Sequence, residues 1–387
     1  MKEDVLEILF ALIKSEISGE TISGEIIAKI TPEILKPLYK ISKKHDLAHL
    51  VANALEKLDK ISYDSEAGKA FLTARDMAIF RVEMINAEIE TICEVFERGK
   101  IDYLPLKGAV IRKLYPESWM RTSCDIDILV KKEELQRAID LLKNELDYDC
   151  KSIGQHDAQI YAPNGVHLEL HFSLLESGSK PELVEILDSV WELSEKITDC
   201  QYKMPNHLFY LYLLSHEAKH IKFGGCGIRA FLDMWLIREK LTFDETEKKE
   251  LLVKSKYTDF AKASENLCDC WFNGREFDDF SKYFADYVIT GGVYGTSEQK
   301  SHAQQSRKKN KFTYLLYRIF IPYRELKYSE PTLKKHPVLY PFFLVKRIFK
   351  AIFKKETKEK TSKEIKAIAS SGDETKKLKK FFSKLDI

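Results

Sequence analysis

Two aspartates separated by a single residue are the first sign of chemistry in this sequence. They lie in residues 124–130, CDIDILV, where polar and apolar side chains alternate strictly, and a period of two predicts a β-strand. Asp125 and Asp127 therefore project from one face, with Cα atoms about 6.6 Å apart. Carboxylates are costly in an otherwise apolar strand unless they bind a partner. The spacing predicts a site for one or two divalent cations.

A third carboxylate, Glu169, lies in residues 166–172, VHLELHF. Alternation places His167, Glu169 and His171 on one face of a second predicted strand. Two divalent ions held about 3.5–4 Å apart by such carboxylates activate an attacking oxygen and stabilise a leaving pyrophosphate. Mg²⁺ or Mn²⁺ suits a site built from carboxylate and phosphate oxygens.

Lys107 and Gly108 interrupt a short apolar segment and open a predicted helix at 109–115. A backbone turn at a helix N-terminus is a ready phosphate cradle, and Lys107 adds a positive charge. A DxD pair alone is common on exposed strands. The order of phosphate turn, helix, DxD strand and carboxylate strand is the one that phosphoryl transfer requires, so the combination predicts this chemistry more strongly than its parts.

Helices must surround this small α/β unit. The long pattern over 66–98, ended by Gly99, predicts a helix, as does the amphipathic pattern over 132–146. A Pro-Asn-Gly turn at 163–165 predicts a hairpin that ends in the carboxylate strand. The pattern from 181 to about 287 is helical again, interrupted by 223–227, and a glycine-rich loop follows at 291–295.

Residues 104–130 (LPLKGAVIRKLYPESWMRTSCDIDILV) and 166–172 resemble the bacterial family of uncharacterised nucleotidyltransferases in the polymerase-β-like superfamily. The LKG turn and the DxD pair are the specific part of this resemblance. It implies an α+β fold in which a small polymerase-β-like mixed sheet, the nucleotidyltransferase palm, is embedded between helical lobes. We predict an N-terminal helical lobe at 1–98, a nucleotidyltransferase core at 99–176, a helical lobe at 177–295 and a basic, aromatic C-terminal helical extension at 296–387.

The resemblance also implies roles for single residues. Those that would hold the catalytic metal ions are Asp125, Asp127 and Glu169. Those that would contact the nucleotide are Lys107, Gly108, Arg121, His171 and Arg229. From the residues alone, His171 has a structural histidine as its alternative, and Arg229 has an i,i+4 ion pair with Asp233.

The predicted reaction is transfer of a nucleoside monophosphate from a nucleoside triphosphate, with ATP as the default donor, to an acceptor hydroxyl or phosphate. No motif identifies the acceptor. One alternative is a non-catalytic nucleotide-binding or regulatory module on the same fold, although the complete carboxylate trio argues against it. A second is a zinc metalloprotease, because His216-Glu217-Ala218-Lys219-His220 matches HExxH. Lys219 beside such a metal site argues against that reading.

Charge is distributed unevenly along the chain. Residues 301–387 hold 23 Lys and Arg but 8 Asp and Glu, a net charge of +15, whereas the first 300 residues carry −13. The aromatic and basic segment 338–355 predicts an amphipathic helix that contacts an anionic membrane or packs on a helical lobe, and nucleic acid stays open as a partner. The seven cysteines are odd in number and scattered along the chain, and the sequence shows neither a long apolar run nor a secretory signal. These features predict a cytoplasmic protein, peripheral to a membrane at most.

Overall fold

A computed structural model describes residues 2–175, 179–307, 317, 320–330, 332–353 and 372–387. The chain divides into two compact units. One comprises Met1–Glu217 and Gly227–Ile289, and the other comprises Ala218–Cys226 and Thr290–Ile387. The four-part division expected from the sequence stays a prediction, and the aromatic segment at 312–353 lies partly outside the described residues.

Five helices precede the sheet in the first unit. They are α1 (Lys2–Ser18), α2 (Gly24–Lys29), α3 (Pro32–Lys44), α4 (Ala48–Lys57) and α5 (Glu66–Arg98). The hydroxyl of Ser65 accepts a hydrogen bond from the Gly68 N–H at 3.0 Å and so caps the start of α5. The helix ends at Gly99. The predicted bounds of this long helix are therefore confirmed.

A five-stranded mixed sheet forms the centre of the first unit, in the order β1-β2-β5-β4-β3. The strands are β1 (Tyr103–Pro105), β2 (Asp125–Val130), β3 (Asp149–Ile153), β4 (Asp157–Tyr161) and β5 (His167–His171). Strands β2 and β5 are parallel and the other neighbours are antiparallel. The chain between β2 and β5 contains α7 (Leu135–Leu146), a crossover of the length that a parallel pair requires. The predicted α+β fold with a mixed sheet is confirmed.

One face of the sheet is buried under α5 and α7. Ile126, Ile128 and Leu168 lie at or below 1% exposure in a core that also holds Phe96 and Leu142. Full burial of such a side chain contributes roughly 1.5–3 kcal/mol. Because side chains alternate along a strand, this core forces the acids of β2 and β5 onto the opposite face.

Three strands were not predicted. Strand β3 is an edge strand with mostly exposed side chains, so its sequence DCKSI shows no alternation. Strands β6 (Glu195–Lys196) and β7 (Tyr202–Lys203) form a separate two-stranded sheet. The prediction of a helical pattern from 181 onward is therefore wrong around β6 and β7.

After the five-stranded sheet, the chain continues with helices, the first of which begins at Pro181. They are α8 (Pro181–Asp188), α9 (Val190–Leu193), α10 (Asn206–Lys222), α11 (Ile228–Lys240), α12 (Glu245–Lys254), α13 (Thr258–Phe272) and α14 (Asp279–Gly291). Aromatic side chains join α11 to α13 and α14: the Phe231 ring lies 5.2 Å from that of Trp271 and 5.4 Å from that of Phe284.

The second unit contains residues 223–226 of the first interruption and the glycine-rich loop at 291–295. A Cβ on Gly225 would lie 2.3 Å from the backbone nitrogen of Gly295, and Gly295 has a φ of +70°. Glycine is thus required here for close approach of two backbones. The helices of this unit that follow are α15 (Ser297–Ser306), α16 (Tyr323–Ser329), α17 (Thr332–Lys335), α18 (Tyr340–Phe353) and α19 (Gly372–Lys384). Of the helices described, none is both long and apolar enough to span a membrane.

Substitution of Gly68 tests the close packing at the start of α5. A Cβ on this residue would lie 1.9 Å from the backbone oxygen of Ser62, and overpacking of this kind costs about 1–3 kcal/mol. We expect Gly68→Ala to lower the free energy of unfolding by that amount, measured by denaturant titration. Gly24→Ala, where a Cβ meets no atom within 4 Å, is the matched control and should be neutral or slightly stabilising. Equal stability of the two variants would contradict the packing described here.

Candidate active site

The parallel pairing of β2 and β5 brings the predicted metal ligands together. Asp127 is aligned with Glu169, and Asp125 is aligned with His167. Asp127 is buried, whereas Asp125 and Glu169 are half-buried on the side of the sheet away from the core. Two carboxylates from one strand and one from its neighbour thus share one face.

Two overlapping groups of side chains have the geometry to hold a metal ion. One consists of Asp125, His167 and Glu169, and the other consists of Asp127, Glu169 and His171. The ligand atoms in each group lie within 4.8 Å of one another, and Glu169 belongs to both groups. Carboxylate oxygens suit Mg²⁺ and Mn²⁺, and imidazole nitrogens add affinity for Mn²⁺ and other transition metals. These residues fit a divalent cation.

The electrostatics of the acids favour a bound cation. Burial and repulsion by Asp127 raise the pKa of Asp125 above its ordinary value, and the same two causes raise the pKa of Glu169. A positive ion between these groups would remove the repulsion that opposes their ionisation.

Lys107 and His171 hold Asp127 in its ionised form. The ammonium of Lys107 donates to Oδ1 of Asp127 at 2.7 Å, and Nε2 of His171 donates to the same oxygen at 2.9 Å. Although burial opposes the charge, Lys107 and His171 bring the pKa of Asp127 well below its usual range. Lys107 also has a φ of +35°, which is uncommon for a residue with a Cβ. In this structure Lys107 is a partner of the carboxylate, and its predicted contact with a triphosphate stays a prediction.

Gly108 lies where two arginines and a serine converge. It is the second residue of α6 (Lys107–Ile111), and a Cβ on it would lie 3.1 Å from Nη1 of Arg121, 3.4 Å from Oγ of Ser123 and 3.5 Å from Nη2 of Arg112. The absence of a side chain at Gly108 leaves these donors close to the backbone of the turn. Such a cluster of donors and positive charge suits an anion.

Arg112 and Ser123 were missed by the sequence reasoning. Arg112 is 3% exposed and donates to Asn86 Oδ1 at 2.9 Å and to Ser123 Oγ at 2.8 Å, while its Nε has no hydrogen-bond partner among the described residues. Burial and the nearby Arg121 lower the pKa of Arg112 to about 10. The sequence could have indicated Arg112 through its position four residues after Gly108, because residues four apart lie on one face of a helix.

Arg121 is engaged in a buried ion pair. Its Nη2 lies 3.0 Å from Oδ2 of Asp233 on α11, and the other oxygen of Asp233 accepts from the Tyr115 hydroxyl at 2.7 Å. The guanidinium therefore fixes the segment before β2 to the helical lobe. A contact of Arg121 with phosphate stays a prediction, supported by the approach of its Nη1 to Gly108.

Arg229 does not form the ion pair with Asp233 that was considered from the sequence. It pairs instead with Asp46, which follows α3, and its Nη1 donates to the carbonyl oxygen of Thr122 at 3.2 Å. The i,i+4 interpretation is wrong because Arg121, distant in sequence, occupies Asp233. A role of Arg229 as a nucleotide contact stays a prediction.

The HExxH segment does not have the features of a zinc site. Glu217, which would be the general base, is 3% exposed and accepts a hydrogen bond from the Ser264 hydroxyl at 2.9 Å. Within the described parts of the chain, neither group of metal-type ligands includes His216 or His220. Burial raises the pKa of Glu217 to about 8, and its second oxygen has no hydrogen-bond partner among the described residues.

Glu217 provides a test of this placement. Its folded-state pKa lies above the unfolded value, so its contribution to stability is complete below about pH 4.5 and is lost as the pH rises through about 8. We expect Glu217→Gln to remove this loss and to gain stability relative to the parent protein by a few kcal/mol at pH 8. Denaturant titrations from pH 5 to 9 would measure it, with Glu250→Gln on the exposed face of α12 as the control. Parallel stability profiles for Glu217→Gln and the parent protein would contradict the buried position.

The comparisons with known proteins agree with this geometry. The sequence profile of the family described as "Uncharacterised nucleotidyltransferase" matches residues 35–273, more than half of the chain, and this range contains every predicted site residue. No curated protein and no solved structure matches the chain significantly. With its buried acidic cluster on a mixed sheet, the chain belongs to the uncharacterised nucleotidyltransferase family.

Proposed function

We propose that this protein transfers a nucleoside monophosphate from a nucleoside triphosphate, with ATP as the first candidate, to an acceptor hydroxyl or phosphate. The observation that carries the proposal is that Glu169 is shared between two ligand groups on neighbouring parallel strands. This arrangement suits two adjacent divalent ions. The non-catalytic alternative is disfavoured because all three carboxylates are present and converge.

The side chains of the cluster and around it would have different roles in the reaction. Asp125, Asp127 and Glu169 would hold Mg²⁺ or Mn²⁺, which when bound neutralises the triphosphate and lowers the proton affinity of the acceptor. Lys107 keeps Asp127 ionised and fixed in position. Catalysis then depends on positioning and charge stabilisation rather than on a covalent enzyme intermediate.

The phosphates would be held beside Gly108. Arg112 and Arg121 place guanidinium groups there, and the Ser123 hydroxyl, which donates to the Asp125 carbonyl at 2.9 Å, holds Arg112 in position. The acceptor oxygen forms a bond to the α-phosphorus as the bridging bond to the β-phosphate breaks, and pyrophosphate leaves with that electron pair. A hydroxyl acceptor would release its proton to solvent as the new bond forms, because the bound metal ions lower its proton affinity.

Calorimetry of nucleotide binding tests this proposal. We expect the parent protein to bind a nucleoside triphosphate in the presence of Mg²⁺ or Mn²⁺ and to lose this binding in EDTA. Asp125→Ala should weaken it by at least about a hundredfold, the upper end of the cost of losing an outer-shell partner of a metal. Asp125 is half-buried, so this variant should fold. The double variant Asp125→Ala/Asp127→Ala should abolish binding.

The control for these measurements is Asp149→Asn on the exposed strand β3, which removes one negative charge away from the cluster. It should bind nucleotide like the parent protein. Absence of binding by the parent protein with either metal would overturn the proposed activity. Binding followed by no transfer to any acceptor class would favour the regulatory module.

We also propose that α18 docks on an anionic lipid surface. Phe342, Val345 and Phe349 of α18 follow each other at helical spacing, Val338 lies in the turn just before the helix, and all four are 51–85% exposed. The helix contains Lys346, Arg347 and Lys350 and no acid. Its other face is already occupied, because Phe343 packs in a cluster with Leu326 and Leu333. An exposed apolar stripe flanked by cations suits the interface of a membrane that carries negative charge.

Vesicle co-sedimentation tests the membrane proposal. We expect the full chain to bind vesicles that contain phosphatidylserine and to bind purely zwitterionic vesicles much more weakly. Phe342→Ser should reduce the binding about tenfold, since it removes a large part of the inserted apolar surface. Phe80→Ser on α5 is a matched control, because Phe80 is also 62% exposed. Equal binding by both variants, or binding to nucleic acid with none to vesicles, would overturn the proposal.

A further inference from the structure

A cleft of about 560 Å³ lies in the first unit, apart from the carboxylate cluster. Tyr39 and Lys43 of α3 line it, together with His49 of α4 and the face of α5 that runs from Lys69 to Arg81. The volume falls in the range of roughly 300–1,000 Å³ that is usual for small-molecule sites. The cleft is large enough for a metabolite.

The charges around the cleft select for an anion. Lys43, Lys69 and Arg81 line it, and none of the three forms an ion pair with a described residue. Asp46 is the one acid among the described lining residues, and Arg229 neutralises it. Three cations without acidic partners around one concave surface create a positive potential that draws in negatively charged ligands.

The wall that α5 contributes is apolar. Ala70, Ala74 and Met77 lie at i, i+4 and i+7, on one face of the helix, and all three line the cleft. Met77 remains 52% exposed. On the other side, the Lys43 ammonium lies 5.5 Å from the centre of the Tyr39 ring. A ligand with an apolar body and charged groups at its edge would match this distribution.

The cleft is joined to the candidate active site by a short segment of chain. Thr122 lines the cleft and precedes Asp125 by three residues, which limits the distance between their Cα atoms to about 11 Å. The carbonyl oxygen of Thr122 accepts hydrogen bonds from Arg121 at 3.0 Å and from Arg229 at 3.2 Å. A molecule bound in the cleft would therefore lie next to the segment that leads into the carboxylate strand.

We infer that this cleft binds the acceptor of the transfer reaction, and that the acceptor is a small organic anion with phosphate or carboxylate groups on an apolar body. The inference rests on the proposed function. An oxygen of this acceptor forms the new bond to the α-phosphorus, while the cations of the cleft hold its negative groups away from the acids of the sheet.

Methionine methyl resonances give a local readout that does not depend on catalysis. The protein would be labelled with ¹³C-methyl methionine, and the Met77 signal assigned with Met77→Leu. Inorganic phosphate is one probe and citrate is the other, each titrated in EDTA so that the carboxylates carry no metal. We expect a saturable shift of the Met77 resonance with at least one probe, and the stronger probe identifies phosphate or carboxylate as the recognised group.

Lys69→Gln/Arg81→Gln should raise the apparent Kd for that probe about tenfold. Both side chains are exposed, so the variant should fold. Lys132→Gln/Lys143→Gln removes two exposed cations near and on α7 and should leave the Kd unchanged. An unshifted Met77 signal with both probes, or an equal Kd in the two double variants, would overturn the inference.

The outcomes separate this inference from the proposed function. Metal-dependent nucleotide binding with no response at Met77 would leave the transfer activity standing and remove the cleft as the acceptor site. A saturable response at Met77 without nucleotide binding by the parent protein would overturn the acceptor role together with the proposed function. A response that survives in Asp125→Ala/Asp127→Ala, as we expect, supports an anion site distinct from the carboxylates.

Discussion

The convergence of one buried and two half-buried carboxylates on two neighbouring strands is the constraint on which the rest of this structure depends. Like charges in a site of low dielectric repel each other, and burial adds a further cost to each. The protein meets part of this cost with the ammonium of Lys107 and the imidazole of His171, both bonded to Asp127. The register of β2 and β5 is equally important, because a slip of one residue would send the acids into the apolar core.

The helical lobe stabilises the segment that leads into the DxD strand. Arg121 reaches Asp233 on α11, and Thr122 is held by Arg229 and Asp46. Loss of one partner from a buried ion pair is strongly destabilising, because the other charge remains buried without compensation. These contacts therefore link the position of Asp125 to helices that lie far away in sequence. In this way α11 and the segment that follows α3 help to position the candidate site.

Local patterns predicted the elements that carry the chemistry. Alternation was enough for β2 and β5, the Pro-Asn-Gly turn for the hairpin of β4 and β5, and the long helical pattern with its terminal glycine for α5. Strand β3 was missed because an exposed edge strand has no buried face to impose alternation. The ion-pair partner of Arg121 could not be predicted from the sequence either, since Asp233 lies 112 residues away along the chain. The sequence showed which side chains are suited to the site but not which distant groups compete for them.

If the proposed function holds, the distribution of charge predicts that nucleotide and metal bind together. In the proposed reaction the three carboxylates would repel a free triphosphate, while Arg112 and Arg121 next to Gly108 would attract it. Divalent ions reverse the first effect, because they place positive charge between the acids and the phosphates. The arginines would then act on a triphosphate whose charge is already partly neutralised. The position of their hydrogen-bond donors would therefore matter more than their electrostatic attraction for the phosphates. A site of this kind would discriminate against phosphates that arrive without metal, and under the proposed function recognition of the acceptor would fall to surfaces outside the sheet.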